Sequence, residues 1–182
     1  MANYYYLVPT LPMLRRDMSE YMSLEEFLRL CKGKVSASDY KVLSNATLTG
    51  GEVGGNSFLK GFSHFRSMVE GELVSQRAQR LHLNESKYIN HADKESSITE
   101  SVRKAVSSDN PLEGEKIILS LYWDYLERHV GCTHIFDLTF LISYALRLQI
   151  LSRLSSFTEE KGDKEFMRLF DNLKKEIFPS RG

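Results

Sequence analysis

The stretch that decides the fold runs from Phe136 to Leu151 and reads FDLTFLISYALRLQIL. Asp137 can cap a helix, because its carboxylate accepts hydrogen bonds from the backbone N–H groups of the first turn. The residues that follow are apolar on most sides of a helix, which is typical of a helix buried in a core. Four polar residues interrupt the run: Thr139, Ser143, Arg147 and Gln149. A bilayer span needs about 20 mostly apolar residues, so the stretch predicts a central core helix and no membrane span.

A second capped helix precedes that stretch. Asn110 and Pro111 suit its first positions, since asparagine caps a helix and the first turn does not need the N–H that proline lacks. Gly131 is suited to end it, because glycine adopts left-handed backbone angles at little cost. The apolar residues on one face are Ile118, Leu121, Tyr122, Tyr125 and Leu126. Because the connecting turn is short, we expect the 111–130 and 138–157 segments to pair as antiparallel neighbours.

Capping signals also mark helices in the first half of the chain. In Ser23-Leu24-Glu25-Glu26, the first serine and the last glutamate can each satisfy the other's backbone N–H. A short helix is expected from Ser38 to Asn45, and Asn56 begins a longer one that extends to Leu83. The longer helix carries apolar residues at spacings of three and four: Phe58, Phe62, Phe65, Val69 and Leu73. This periodicity predicts a helix with one face in the core.

The remaining segments give three further predictions. Ser97-Ile98-Thr99-Glu100 has the form of a capping box and opens a short helix that ends near Ser108. A final helix is expected from Asp163 to Phe178. Its apolar stripe consists of Phe166, Leu169, Phe170, Leu173 and Ile177. At the other end, Tyr4 to Val8 is rich in aromatic and β-branched residues, which favours a short extended segment over the first turns of a helix.

These segments together predict an all-α (mainly α) protein, a helical bundle of about six to seven helices with one short N-terminal extended segment. We expect residues 1–182 to form a single helical domain. The alternative is two helical halves, 1–83 and 97–178, joined by a polar loop at 84–96.

The charge and cysteine content limit the classes of function that the chain can have. The chain has 24 Lys and Arg against 24 Asp and Glu, so its formal net charge is zero. A protein that binds duplex nucleic acid usually carries a basic excess, so this composition argues against one. The two cysteines give no disulfide framework, and a reducing cytoplasm is the simplest location. The glycine-rich segment from Thr49 to Asn56 lacks the Gly-Lys-Ser/Thr of a phosphate-binding loop, and no cofactor is predicted.

One short segment contains residue types that bind metals. His129, Cys132 and His134 lie within six residues, and zinc takes imidazole and thiolate ligands. A structural zinc site needs four ligands, and a fourth would have to come from elsewhere in the fold. A polar turn between two helices is the favoured interpretation, and we predict no bound metal and no catalytic residue here.

Three aromatic residues on the 111–130 helix are candidates for binding a partner. Trp123 lies beside Tyr122 and Tyr125, and such side chains concentrate at the hot spots of protein interfaces. The same helix is rich in apolar positions, so packing in the core is the favoured use of all three.

The chain resembles a known family through a series of short motifs in order. They are Asn3–Val8 (NYYYLV), Ser23–Phe27 (SLEEF), Asn110–Glu113 (NPLE), Phe136–Asp137, Tyr144–Leu151 (YALRLQIL) and Glu160–Gly162 (EKG). Together they resemble a bacterial family of uncharacterised proteins (DUF2764-like) encoded within V-type (A/V-type) ATP synthase operons. Members take the place of the stalk protein that is termed C in archaea and bacteria and d in eukaryotes.

The resemblance implies a non-catalytic, all-helical subunit that couples the central rotor stalk to the membrane proteolipid ring, in proton or sodium transport. It implies a cytoplasmic protein that reaches the inner membrane through other subunits, without direct insertion and without nucleic acid. The chain is shorter than a typical stalk protein of that kind, which argues against a complete funnel. Two alternatives are a helical adaptor between proteins unrelated to an ATPase, and an enzyme whose site is dispersed along the chain.

Overall fold

Helices make up the regular structure in the computed structural model, which describes residues 4–50, 55–83, 95–131, 133–157 and 159–177. The α-helices are α1 Tyr4–Leu7, α2 Leu24–Cys31, α3 Ala37–Asn45, α4 Ser57–Arg80, α5 Ser96–Ser107, α6 Pro111–Val130, α7 Leu138–Ser156 and α8 Glu159–Ile177. A 3-10 turn at Val8–Thr10 follows α1. These residues contain no β-strand, which confirms the all-α prediction.

Helices α6 and α7 form the antiparallel pair that the sequence predicts. Ser143 Oγ donates a hydrogen bond to Leu126 O over 3.5 Å near the turn. At the far end, Arg153 Nε donates to Glu115 Oε1 over 2.5 Å. Contacts therefore join later residues of α7 to earlier residues of α6, as antiparallel packing requires.

Helix α7 lies at the centre of the hydrophobic core. Leu141, Ile142, Ala145 and Leu146 are fully buried. Helices α2, α3 and α6 pack around α7, while α5 packs between α4 and α6. One cluster of buried residues extends from Leu7 to Leu151, so the N-terminal helices and the α6–α7 pair share a core.

The predicted caps fix most helix starts. Ser23 Oγ accepts from Glu26 N while Ser23 N donates to Glu26 Oε2, which completes the capping box. Asn56, Asn110 and Asp137 also accept hydrogen bonds from the first turns of α4, α6 and α7. These contacts confirm the starts of α2, α4, α6 and α7.

Two local predictions are wrong. Helix α5 begins at Ser96, and Ser97 Oγ donates to Glu95 Oε1 over 2.7 Å instead of capping the helix. The segment from Tyr4 to Val8 is helical and not extended. Leu7 and Val8 are both buried while the adjacent Tyr5 and Tyr6 are both exposed. A strand would place neighbouring side chains on opposite faces, so burial of this pair favours helical turns.

Helix α4 buries the predicted stripe. Phe62, Phe65 and Val69 lie in the core, and Phe58 and Leu73 pack against its edge. The helix ends at Arg80, three residues before the predicted end. The predicted loop at 84–96 lies mostly outside the described residues, as do residues 51–54 of the glycine-rich segment.

Helix α8 begins four residues earlier than predicted, and its described side chains, 162–174, are all exposed. None of them belongs to the core cluster. Within the described ranges, no helix combines the length and hydrophobicity needed to cross a bilayer.

Candidate partner-binding surfaces

The aromatic residues singled out on α6 lie in the core. Trp123 is 1% exposed, and Tyr122 and Tyr125 are also buried. The Tyr125 ring stacks on Phe65 with centroids 4.2 Å apart. The Arg147 guanidinium lies 5.5 Å from the centre of the Trp123 ring, within cation–π range. These side chains hold α6 against α4 and α7, which is the packing role that the sequence favoured.

The described members of the candidate metal cluster each make a local hydrogen bond, one within the last turns of α6 and one at the start of α7. His129 Nδ1 donates to Tyr125 O over 2.9 Å, and its ring stacks on the Tyr125 ring. His134 Nδ1 donates to Asp137 Oδ2 over 2.5 Å. Cys132 lies outside the described residues. Among the residues that are described, no group of three possible ligands comes together, and absence of metal stays a prediction.

A groove of about 800 Å³ lies where the residues before α2 meet the end of α7. Some of its polar side chains make hydrogen bonds within the protein: the Tyr21 hydroxyl lies 2.7 Å from Ser155 Oγ. Gln149 accepts from Leu48 N and donates to Ala46 O. The two Gln149 bonds fasten the segment after α3 onto α7, so this polar side chain of the groove has a structural role.

Three exposed aromatic side chains form a surface at the end of the bundle, here named the aromatic patch: Tyr5, Tyr6 and Phe136. They are 66%, 70% and 47% exposed. The Tyr5 ring lies 5.3 Å from the Phe136 ring and 5.4 Å from the Tyr6 ring, between centroids. Clustered exposed aromatics mark interaction surfaces more often than single ones do.

Two anchors hold the aromatic patch on the bundle. On the α1 side, the Tyr4 hydroxyl donates to Asp39 Oδ2 over 2.6 Å, and Leu7 of the same helix is buried in the core. Burial, followed by the hydrogen bond to Asp39, raises the pKa of the Tyr4 phenol. On the other side, Asp137 caps α7 directly after Phe136. The patch is therefore presented on fixed elements.

A second exposed apolar surface runs along α8, here named the α8 stripe: Phe166, Leu169, Phe170 and Leu173. These side chains are between 43% and 65% exposed. The Phe166 and Phe170 rings stack with centroids 6.1 Å apart, and Lys174 Nζ lies 4.7 Å from the centre of the Phe170 ring. These are four of the five residues of the stripe predicted from the sequence; the side chain of the fifth, Ile177, lies outside the described part of the chain. None of the four belongs to the core cluster.

The sequence carried a partial signal for each surface. The run Tyr4-Tyr5-Tyr6 cannot be buried on all sides of a helical turn, so exposed tyrosine was foreseeable. The meeting of Tyr5 with Phe136 was not foreseeable, because 131 positions separate them in the chain. Periodicity located the α8 stripe, but it cannot distinguish a face in the core from a face without a partner.

Comparison with known protein families gives a match to part of the chain. Residues 104–177 match the family described as "Protein of unknown function (DUF2764)". The matched segment includes α6, α7 and α8, the part of the chain that carries the central pair and the α8 stripe. The match supports an uncharacterised family and does not mention a V-type ATP synthase. No curated protein and no solved structure gives a significant match.

Proposed function

We propose that this protein is a non-catalytic helical subunit of a V-type ATP synthase, bound between the central rotor stalk and the proteolipid ring. The assignment to an ATP synthase rests on the resemblance of the sequence motifs to a family. The role in protein binding rests on the exposed aromatic side chains of the structure. The two parts can be tested separately.

The aromatic patch is the observation that carries the proposal. Tyrosine and phenylalanine contribute much of the binding energy at interfaces because they bury large areas and lose little conformational entropy. Tyr5, Tyr6 and Phe136 are already in contact with one another and are anchored on both sides. Because this surface is already ordered, little binding free energy is spent on ordering it when a partner covers it.

The packing behind the patch supports a role in transmitting force. Helices α6 and α7 extend away from the turn that carries Phe136 and are packed along their length. Densely packed interiors deform little and transmit strain. A load applied at the patch would be passed into a rigid pair of helices, as coupling between two rotating parts requires.

The test is co-purification of the intact ATP synthase from membranes of cells that carry the wild-type gene, no gene, or a patch variant. The variant combines Tyr5→Ser, Tyr6→Ser and Phe136→Ser. The control is Met13→Ser, which also removes an exposed apolar side chain, 84% exposed, from a position outside the patch. We expect the chain to co-purify in the wild type and the control and to be lost in the patch variant.

Two results would contradict the proposal in different ways. If the complex assembles and couples ion flow to ATP turnover without this chain, the proposed place in the ATP synthase is wrong. If the chain is bound to the complex but the patch variant binds as well as the wild type, the surface is wrong. Stable association with proteins outside the ATP synthase would favour the helical adaptor.

A further inference from the structure

Within the part of the chain that the structure describes, the α8 stripe is not covered by the core cluster. Its four large apolar side chains are exposed and lie on successive turns of a 19-residue helix. At 1.5 Å per residue the helix is about 28 Å long. Continuous exposed apolar surface of this kind marks a site of association.

The spacing of the stripe suits a second helix. Phe166, Phe170, Leu173 and Ile177 follow one another at intervals of four, three and four residues. This is the spacing of the seam in a coiled coil, where side chains of two helices interlock. In the sequence these positions, from Phe166 to Ile177, span 12 residues, just under two seven-residue repeats, so the fitting partner is one helix of similar length.

The distribution of charge along α8 favours one orientation of the partner helix. From Glu159 to Glu165 there are four acidic and two basic residues, and from Phe166 to Glu176 there are three basic and two acidic residues. A parallel pair of these helices would place like halves together. An antiparallel pair places the acidic half of each beside the basic half of the other, and opposite charges at a helix interface are favourable.

The edges of the stripe show the same complementarity. Asp163 and Lys174 are 11 residues apart, so at about 100° per residue they lie about 20° apart around the helix. They therefore flank the same edge of the stripe, one near each end. In an antiparallel pair the same edges of the two helices meet, which brings Asp163 of each copy toward Lys174 of the other.

We propose that α8 pairs antiparallel with α8 of a second copy of this chain. Phe166 of each copy packs against Phe170 of the other, and Asp163 of each copy lies beside Lys174 of the other. Two repeats make a short interface compared with the ~800 Å² per partner of a standard complex. The dimer should therefore form reversibly, and the fraction of dimer should increase with protein concentration. It uses a surface other than the aromatic patch, so it is independent of the proposed function.

The test is sedimentation equilibrium of the full chain over a wide range of concentrations. The wild type should pass from monomer to dimer. Asp163→Lys alone and Lys174→Asp alone should each weaken dimerisation about tenfold, because two attractive contacts become repulsive in each dimer. The double variant Asp163→Lys/Lys174→Asp restores opposite charges and should restore dimerisation. Phe170→Ser should abolish it.

The matched control is Lys164→Asp, the same change of charge at an exposed position on the side of α8 away from the stripe. It should dimerise like the wild type. Because these residues lie outside the core, circular dichroism should show the same folded bundle in every variant. A monomer at all concentrations overturns the proposal. So does an equal loss in Lys164→Asp, or a double variant that stays as weak as the single ones.

Discussion

At the scale of single residues, burial decides what the aromatic side chains do. Tyr122 and Tyr5 are the same residue type, but Tyr122 lies against Phe62 in the core and Tyr5 is exposed at the end of the bundle. Burial raises the pKa of Tyr122 to about 12, because a phenolate loses its hydration in the core. The same cause raises the pKa of Tyr144 to about 12 and that of Cys31 to about 11.

The raised pKa values predict how stability depends on pH. A phenol whose pKa is higher in the folded state stabilises the fold fully below its unfolded pKa of 10.0. That contribution is lost as the pH rises from 10 to the folded value. We therefore expect the free energy of unfolding to fall between pH 10 and 12, and to fall less in Tyr122→Phe. Urea unfolding at pH 9 and pH 11 measures the difference; equal losses in both proteins would argue against it.

Core and surface leucines should respond differently to truncation. Leu148→Ala removes a side chain that is 1% exposed in α7 and should cost about 2–5 kcal/mol of unfolding free energy. Leu169→Ala makes the same chemical change in the α8 stripe and should alter that free energy by about 0.5 kcal/mol or less. Denaturant unfolding at low protein concentration compares the two. A loss under about 1 kcal/mol for Leu148→Ala would show that α7 is peripheral.

At the scale of elements, one glycine sets how closely α5 and α6 approach. A Cβ added at Gly114 would lie 2.7 Å from Ala105 O, and a carbonyl in the backbone of α5 cannot move aside freely. Glycine within a helix normally costs about 1 kcal/mol relative to alanine. At position 114, the steric cost of the close contact would exceed what alanine gains in helix propensity. Glycine is therefore the more stable residue at this position.

Gly114→Ala should therefore lower the unfolding free energy, by about 1–3 kcal/mol. Gly162→Ala in α8 is the control, because nothing lies within 4 Å of the added Cβ. It should not lower the unfolding free energy and should increase helical content by circular dichroism. A neutral or stabilising Gly114→Ala would mean that α5 can shift to make room.

The elements themselves were largely predictable from the sequence, for local reasons. A cap such as Asn110 or Asp137 acts on the next three residues, and periodicity acts over a few turns. The error at the N-terminus occurred where a longer-range effect decided. Burial of Leu7 and Val8 against the bundle made the segment from Tyr4 to Val8 helical despite its aromatic and β-branched residues. The aromatic patch, which needs Tyr5 to meet Phe136, was beyond prediction for the same reason.

At the scale of the whole molecule, the described structure separates into a packed bundle and α8. The core cluster contains residues from Leu7 to Leu151 and no described side chain of α8. A chain that ends at Phe157 should therefore unfold at the same temperature as the full chain at low concentration. Circular dichroism should show the loss of helical signal from α8 alone. A large fall in the unfolding temperature would show that α8 contributes to the bundle.

The position of Trp123 has a consequence for spectroscopy. It is the single tryptophan of the chain, and it lies in the core with Arg147 over its ring. Its fluorescence should be that of an indole shielded from water and should shift to longer wavelength when the bundle opens. Events confined to α8 should leave the emission unchanged. The native chain thus carries a built-in optical reporter for the bundle, which allows its unfolding to be followed separately from self-association without any added label.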